Sequence, residues 1–368
     1  MLLWLLLTAA AAFGCYFLGR KLENEALTAA FQAERDLNIL LNRSELEGLG
    51  EVEGPIYVTG HKSPDSDTVG SSIAYAGLLR NLGYDAQAVV LGGINHETAF
   101  ILESAGMDVP PLLEDASGKN MILVDHSEYT QSADGLKDAH IISIIDHHGD
   151  GSVKTGNQLI YDARPLGATA TIIWIRYRNY GVVPDPRTAK VMMGSILSDT
   201  KNLSSGTTSA DREALKDLSG AAGVEDTDAF YREMYKASLS YEGMTDEEIF
   251  FSDYKEYEAS GKNYSIGCVS AYDEAAAGDL AERMKAVFPA VLSSSGMDMA
   301  FAQINIYHDD IDISYVVPSG DQAAAVIEAA FGDSVEFDGV SYVFRPGISR
   351  KRDLVPAVTD VLAAHPSE

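Results

Sequence analysis

Histidine and aspartate residues recur just beyond short apolar runs in the N-terminal half of this chain of 368 residues. Carboxylates that are packed together repel each other and resist ionisation unless cations neutralise them. Two divalent metal ions that share one carboxylate would account for such a cluster, and oxygen with imidazole ligands suits Mn²⁺, Co²⁺ or Fe²⁺. A metal pair about 3.5–4 Å apart can hold a hydroxide for in-line attack at phosphorus. The candidate residues are His61, Asp65, Asp67, Asp125, Asp146, His147, His148 and Asp199.

A structural interpretation of the same residues stays open. Asp146-His147-His148 follows the apolar run His140–Ile145, and one such triplet fits a strand that turns into a polar loop equally well. Asp65-Ser66-Asp67 precedes a helical pattern, where aspartates commonly cap the helix. Capping does not explain the upstream His61, so the metal hypothesis is favoured at that loop.

The apolar runs before these residues predict strands of a parallel sheet. They are β-branched and nearly continuous, as in strands that are buried on both faces. Helical patterns such as Val69–Leu79 separate them, and alternating strands and helices are typical of a doubly wound parallel α/β domain. The carboxyl ends of parallel strands meet at one edge of such a sheet, where ligands bind. The predicted strands are residues 56–60, 86–91, 121–124 and 140–145.

Further helices are predicted in the first domain, including one that starts near Asp211 and one that contains Tyr231–Lys236. Gly167–Thr171 opens one helix, and Ala189–Leu197 forms another that ends in Ser198-Asp199. Beyond residue 240, shorter strands and helices predict a smaller mixed α/β domain. We therefore expect a metal-binding catalytic domain at residues 54–240 and a C-terminal phosphate-binding domain at residues 241–368.

The N-terminus predicts a membrane anchor. Leu2–Leu18 is apolar, aromatic or small, and Arg20 and Lys21 follow it at once. A span of this length is at the short end of what crosses a bilayer, and basic residues after it favour a cytoplasmic C-terminal side. We expect an anchor helix at residues 1–20, a helical stalk and linker at residues 21–53, and cytoplasmic catalytic domains. The alternative is a cleaved export signal, which normally has positive charge before its apolar core.

The chain is strongly acidic, with 55 acidic against 27 basic residues and a formal net charge of −28. A general nucleic-acid or anionic-lipid binder would show a basic footprint instead. A small anionic substrate stays compatible, because bound metal ions and a few local cations can reverse the sign within one cleft. The two cysteines, Cys15 and Cys268, form no Cys-x-x-Cys pair, which disfavours zinc-ribbon and thioredoxin-like functions.

A local basic cluster stands out in the second domain. Arginine can grip phosphate oxygens with two hydrogen bonds, and lysine acts as a compact point charge. A solvated basic turn before the helical pattern Val355–Leu362 is the alternative. The cluster consists of Arg345, Arg350, Lys351 and Arg352.

Several motifs occur in a fixed order along the chain. They are His61-x3-Asp65-x-Asp67, Gly93-Ile94-Asn95-His96-Glu97-Thr98, Val124-Asp125-His126, Gln131-Ser132, Asp146-His147-His148, Gly167–Thr171, Ser198-Asp199 and Ser349-Arg350-Lys351. This order resembles that of the DHH phosphoesterases, and the intervening sequence is similar to one branch of them, the manganese-dependent (family II) inorganic pyrophosphatases. The resemblance runs from about Ile56 to the C-terminus. Departures at Ser63, Ser127 and Gly149 remove no ligand.

The resemblance implies a role for each candidate residue. One metal would be held by His61, Asp65 and Asp125. The second would be held by Asp67, Asp125, His147 and Asp199, so that Asp125 bridges the pair. Asp125 and His148 would be catalytic, and Asp146 would orient a neighbouring imidazole. The phosphoryl oxygens of the substrate would be bound by His148, Lys255, Arg350 and Lys351.

The resemblance also implies an activity, namely hydrolysis of inorganic pyrophosphate to two phosphates by a bridging hydroxide on a two-metal centre in the cleft between two domains. Two Mn²⁺ or Co²⁺ ions, Mg²⁺ arriving with the substrate, and a homodimer belong to this expectation. The alternatives are a short-chain exopolyphosphatase and a small-nucleotide phosphodiesterase. The chain contains no Gly-Gly-Gly-His run, which counts against nucleotide substrates. A sensor built on an inactive enzyme is disfavoured, because every expected ligand residue is present.

Overall fold

A five-stranded parallel sheet organises the first of two units. The computed structural model describes residues 2–47, 52–308 and 311–364, and it divides into Met1–Met234 and Tyr235–Glu368. All neighbouring strands of the first sheet run parallel, in the order β2-β1-β3-β4-β5. The predicted parallel sheet of an α/β domain is thereby confirmed. The strands are β1 (Ile56–Thr59), β2 (Ala86–Ala88), β3 (Asn120–Val124), β4 (His140–Asp146) and β5 (Ile160–Ala163).

Helices follow β1, β2 and β5 and pack beside the sheet, whereas no α-helix among the described residues separates β3, β4 and β5. The described helices that begin in the first unit are α1 (Leu2–Glu47), α2 (Ser66–Asn81), α3 (His96–Ala105), α4 (Thr169–Asn179), α5 (Pro186–Asp199), α6 (Ser209–Ala222) and α7 (Thr227–Ser238), the last of which crosses the division between the units. Helix α5 lies at the centre of this group and packs against α2, α3, α4 and α6.

The apolar runs are continuous because the central strands are buried on both faces. In β3, Ile122 and Val124 join the core formed with the helices α2, α4 and α5. The alternate residues, Met121 and Leu123, join a second core on the opposite face. In β3 this arrangement leaves polar residues only at the strand ends, and it therefore places Asp125 at the carboxyl edge of the sheet.

A β-bulge in β4 sets how its end meets β3. Met121 pairs with Ile141, but the next residue, Ile122, pairs with Ser143, so Ile142 is an extra residue on β4. A one-residue shift in register reverses which side chains face each side of a sheet, and bulges commonly lie next to active sites. Beyond the bulge, the backbone N–H of Asp125 donates to the carbonyl of Ile145 at 2.9 Å. Asp125 and the end of β4 therefore lie side by side.

The membrane anchor expected at the N-terminus is wrong. Among the residues that the structure describes, no helix is long and apolar enough to cross a membrane. The expected anchor and stalk are instead parts of one helix, α1, in which charged residues recur from Arg20 onward. Its C-terminal part packs on the first unit, where Leu46 is buried and Arg43 Nη2 donates to the carbonyl of Tyr180 at 3.2 Å. Residues 48–51 of the expected linker lie outside the described residues.

The second unit is a smaller mixed α/β unit, as expected. Its sheet has the order β10-β11-β9-β8-β7-β6, and only β7 and β8 pair in parallel. The strands are β6 (Tyr254–Ala259), β7 (Lys262–Ser270), β8 (Met299–His308), β9 (Ile311–Pro318), β10 (Glu336–Phe337) and β11 (Tyr342–Phe344). The helices are α8 (Asp246–Phe251), α9 (Glu274–Ser295), α10 (Asp321–Phe331) and α11 (Val355–Ala364), with a π-helical turn at Arg350–Leu354 before α11.

Candidate metal centre

The loop from β1 to α2 supplies the first candidate ligands. The ring atom His61 Nδ1 lies 2.8 Å from the carbonyl of Lys62, to which it donates, so Nε2 points free into the site. Nε2 lies 3.4 Å from Asp65 Oδ2 and 3.5 Å from Asp125 Oδ2. The other oxygen of Asp65 caps α2 by accepting from Thr68 N at 2.9 Å. Capping and ligation are therefore compatible, since Asp65 has one oxygen for each.

Asp125 lies at the centre of the site. It is 1% exposed, and its backbone adopts the left-handed conformation with a φ of 61°. Such a conformation is strained for a residue other than glycine and is concentrated at functional sites. Thr68 Oγ1 donates to Asp125 Oδ2 at 2.8 Å, and Thr169 Oγ1 donates to Oδ1 at 3.1 Å. Each carboxylate oxygen is thus fixed on its own side of the site.

Asp67 is fully buried at the N-terminus of α2. Its carboxylate accepts from the backbone N–H of Thr169 at 2.6 Å and of Ala170 at 3.0 Å. Ser71 Oγ donates to the same carboxylate at 3.1 Å. The two backbone donors come from the first turn of α4, whose N-terminal N–H groups favour a negative charge. The carboxylate is therefore oriented before any cation binds.

His147 and Asp199 complete the cluster from two other elements. The ring atom His147 Nδ1 lies 3.1 Å from the carbonyl of Leu166, to which it donates, so Nε2 is the ring atom left for a metal ion. That Nε2 lies 3.4 Å from Asp125 Oδ1 and 3.3 Å from Asp199 Oδ2. Within the described residues it is buried and has no hydrogen-bond partner. An imidazole nitrogen in this state between two carboxylates has the geometry of a metal ligand.

The donor atoms form two sets that share one residue. Within each set the donor atoms lie within 4.8 Å of one another. A third grouping combines Asp125 with His147 and His148. The two sets are His61, Asp65 and Asp125, and Asp67, Asp125, His147 and Asp199. These are the sets that the sequence resemblance implied, and the structure brings all six residues together.

Without cations, protons alone must balance the charge of this cluster. Burial, and then the charges of Asp125 and Asp65, raise the pKa of Asp199 to about 7. Burial also raises the pKa of Asp67 well above its usual range, and Asp125 and Asp199 add to that effect. Burial opposes the charge on His147, yet the surrounding carboxylates outweigh it and raise the His147 pKa to about 10. Proton retention of this kind is expected where cations belong.

His148 lies beside the metal sets and is held by Asp146. Asp146 is 1% exposed, and its Oδ1 accepts from the backbone N–H of His148 at 3.0 Å. The same oxygen lies 2.9 Å from His148 Nδ1. This hydrogen bond raises the pKa of His148 despite the opposing effect of burial. The exposed imidazole therefore keeps a fixed orientation and readily carries a proton.

A cavity of about 730 Å³ opens beside the first metal set and is lined entirely by the first unit. His61, Asp125 and His148 line it together with the acidic side chains Glu128 and Asp150. Its one lysine, Lys62, is paired with Asp134 at 2.8 Å. A small anion would enter so acidic a cavity only if bound cations reversed the local charge.

The predicted phosphate-binding residues of the second unit have different surroundings. Arg350 Nη2 pairs with Asp253 Oδ1 at 2.8 Å. Burial raises the pKa of the Cys268 thiol to about 11, while the charges of Arg350 and Lys255 oppose that rise. Lys351 is exposed and makes no ion pair within the described part of the chain. Arg345 is paired with Glu274 at 2.6 Å.

Two family models match the chain. Residues 55–196 match the DHH family, N-terminal domain, and residues 232–361 match the DHHA2 domain. A manganese-dependent inorganic pyrophosphatase of Methanothrix thermoacetophila is 36% identical over 304 residues, which cover 82% of this chain and 96% of that protein. A protein of Clostridium acetobutylicum named as a probable manganese-dependent inorganic pyrophosphatase is 35% identical, with coverage of 84% and 99%. The chain belongs to the family of manganese-dependent inorganic pyrophosphatases.

A solved structure agrees with this assignment to the manganese-dependent inorganic pyrophosphatases. A Methanococcus jannaschii protein, crystallised as a candidate family II inorganic pyrophosphatase, has a TM-score of 0.51 and is 32% identical. The match covers 83% of this chain and 99% of that protein. Helix α1 precedes both matched family models, so it is an addition to the part that this pyrophosphatase family shares.

The sequence assigned no role to some side chains that shape this pyrophosphatase-family site. Thr68 and Thr169 bind both oxygens of Asp125, and Asp211 anchors the loop that carries Thr169. The spacing Thr208-x-x-Asp211 is readable in the sequence as a capping box, which the structure contains. The contact of Asp211 with Gly167, 44 positions earlier, has no local signal.

Two other histidines, His126 and His96, do not belong to the metal sets. Both ring nitrogens of His126 are used within the protein, since they lie 3.0 Å from the carbonyl of Val124 and 2.9 Å from Ser132 Oγ. His96 begins α3 and is exposed. Neither contributes to the groupings of possible ligands among the described residues.

Proposed function

We propose that this chain is a hydrolase that converts inorganic pyrophosphate to two phosphates on a pair of Mn²⁺ ions. The observation that carries the proposal is the pair of ligand sets that share Asp125, one carboxylate whose two oxygens face different sets. The named relatives are manganese-dependent inorganic pyrophosphatases, and their substrate is the one assigned here.

The residues fit a divalent metal pair. His61 and His147 each donate through Nδ1 to a backbone carbonyl, which leaves Nε2 as the ligand atom. The remaining ligands are carboxylate oxygens, and such a mixed set suits Mn²⁺ or Co²⁺. His61, Asp65 and Asp125 would hold one ion, and Asp67, Asp125, His147 and Asp199 the other. The bound pair would generate the attacking nucleophile and stabilise charge on the phosphoryl oxygens.

The remaining residues bind and orient the substrate. His148 is exposed and is held by Asp146 through Nδ1, so its Nε2 would donate a proton to the leaving phosphate oxygen. Lys255, Arg350 and Lys351 would bind the phosphoryl oxygens of the substrate, and Mg²⁺ would enter with pyrophosphate. No covalent intermediate with the protein is required. The homodimer that the resemblance implies stays a prediction.

A substrate comparison tests this function. We expect the full-length chain, loaded with Mn²⁺, to hydrolyse pyrophosphate faster than tripolyphosphate or a cyclic dinucleotide. Phosphate release would be measured for the first two substrates and nucleotide products for the third, all at equal substrate concentration. If pyrophosphate proves the poorest of the three substrates, the proposed function is rejected.

Metal uptake should release protons. Carboxylate neighbours outweigh burial and raise the pKa of His61 to about 11 and that of His147 to about 10, so both imidazoles are protonated at pH 7.5 before cations bind. Each ligand must lose its proton to bind a metal, and the apparent Mn²⁺ affinity should therefore increase as the pH rises from about 6 to 8.

Isothermal titration calorimetry in buffers of different ionisation enthalpy measures this release. We expect the observed heat to depend on the buffer, with at least two protons released per pair of metal ions bound, one from each imidazole. The control His140→Gln changes an exposed histidine outside the site and should leave the proton count unaltered. A binding heat that is the same in all buffers would contradict the ligand assignment.

A further inference from the structure

Glu97, in the first turn of α3, joins two of the segments that carry the candidate ligands. Its Oε1 accepts from Ser66 Oγ at 2.7 Å and also from Ser198 Oγ. Ser66 lies between Asp65 and Asp67 at the start of α2, and Ser198 immediately precedes Asp199 at the end of α5. One carboxylate oxygen therefore connects the N-terminus of α2 with the C-terminus of α5.

Asp199 depends on this connection more than the other ligands do. Asp67 is oriented by two backbone N–H groups and Ser71, and Asp125 is oriented by two threonine hydroxyls. In the described part of the chain, the only polar partner recorded for the Asp199 carboxylate is His147. The position of Asp199 is therefore set by the last turn of α5, and Ser198 is where that turn is fixed.

The residues around Glu97 are themselves buried or held by hydrogen bonds. Asn95 caps α3 by accepting from Thr98 N at 2.8 Å, and Thr98 Oγ1 lies 3.1 Å from Ser66 Oγ. Ser66 and Thr98 are both about 2% exposed. One turn earlier on α5, Ser195 Oγ donates to the carbonyl of Ser66 at 2.9 Å. The final turn of α5 is then fixed by the contact of Ser198 with Glu97.

We infer that Glu97 is a positioning residue for the second metal ion, because it holds Asp199 against Asp67 through Ser198 and Ser66. This inference rests on the proposed two-metal function. The first set, His61, Asp65 and Asp125, has no member on α5, so it should depend on Glu97 much less. A first-turn acid that merely complements the helix dipole would show no such difference between the two metals.

Mn²⁺ binding to the full-length chain, followed by electron paramagnetic resonance of the free ion, tests the inference without measuring turnover. We expect Glu97→Ala to weaken one of two bound Mn²⁺ ions by about 10-fold to 100-fold, the range for losing a partner that orients a metal ligand. The weakened site should be the one lost in His147→Gln, since His147 belongs only to the second set. Glu97→Gln should restore tight binding, because its amide oxygen can accept from both serines.

Two further variants complete the test. Glu103→Ala removes an exposed glutamate from the same helix and should bind both ions like the unsubstituted chain. Ser198→Ala removes only the hydrogen bond between Glu97 and α5. It should weaken Mn²⁺ binding at the second set by about 10-fold. If Glu97→Ala does not fold, the result for Ser198→Ala tests the inference in its place.

Equal binding of both ions by Glu97→Ala and the unsubstituted chain would overturn the inference while leaving the two-metal proposal intact. Equal weakening of both sites, or no rescue by Glu97→Gln, would overturn it as well. An unsubstituted chain that binds fewer than two Mn²⁺ ions would overturn both the inference and the proposed function.

Discussion

Asp125→Asn is expected to lower kcat for pyrophosphate by at least about 100-fold, the upper end of the loss caused by removing a group that only orients a metal ligand. The substitution of Asp125 should lower kcat more than the loss of such a group does, because the two oxygens of Asp125 face His61 and His147 on opposite sides. Both metal sets contain Asp125. The asparagine side chain keeps the shape and one acceptor oxygen but cannot join two cations.

The assay for Asp125→Asn is steady-state phosphate release at saturating Mn²⁺, with bound metal counted in the same preparation. Circular dichroism shows whether the variant is folded. Asp108→Asn provides the matched control, since Asp108 is exposed in the loop after α3 and lies outside both metal sets. A variant that is folded and keeps more than a tenth of the control's kcat would mean that Asp125 is not the shared ligand.

Asp211→Ala is expected to reduce the free energy of unfolding by about 3–5 kcal/mol, because several buried donors lose their acceptor at once. Asp211 is fully buried and accepts from Gly167 N at 3.0 Å and from Thr171 Oγ1 at 2.6 Å. It also accepts from the backbone N–H and hydroxyl of Thr208, both at 2.7 Å. A Cβ at position 167 would lie 2.8 Å from Asp211 Oδ2, so glycine is required there for this approach.

Urea-induced unfolding, followed by circular dichroism on the full chain, measures this loss. Asp217→Ala, on the same helix, is the control. Asp217 is 43% exposed and pairs with Arg178 at 3.2 Å, a surface pair worth less than about 1 kcal/mol. Similar losses for the two variants would contradict the role of Asp211. Asp211→Ala should also bind Mn²⁺ more weakly than the unsubstituted chain, because Thr169, on the loop that Asp211 anchors, contacts Asp67 and Asp125.

The fold could be predicted wherever one local pattern dominates. The runs before Asp125 and His147 are buried on both faces, so their composition alone predicts parallel strands. Shorter and more polar elements were missed. Strand β5 (Ile160–Ala163) alternates between half-buried and exposed residues and contains Asp162, which a sequence pattern does not separate from a loop. The N-terminal anchor was wrong because it rested on the composition of one short segment.

Residue types and their order along the chain were enough to predict which side chains are available for metal chemistry and which edge of the sheet they reach. Imidazoles and carboxylates follow apolar strands, and the geometry of a parallel sheet brings the strand ends to one edge. That inference needs only residue type and local order along the chain. It extends to His61, Asp65, Asp67, Asp125 and His147.

How these side chains meet follows from contacts between elements that are far apart in the chain. The bulge at Ile142 sets the end of β4 beside Asp125, and Asp125 adopts a left-handed backbone. The backbone donors to Asp67 come from residues about 100 positions away, and Glu97 joins segments 31 positions before it and 101 positions after it. Such contacts depend on how distant elements pack against each other. The residue types and spacing within a single segment do not reveal that packing.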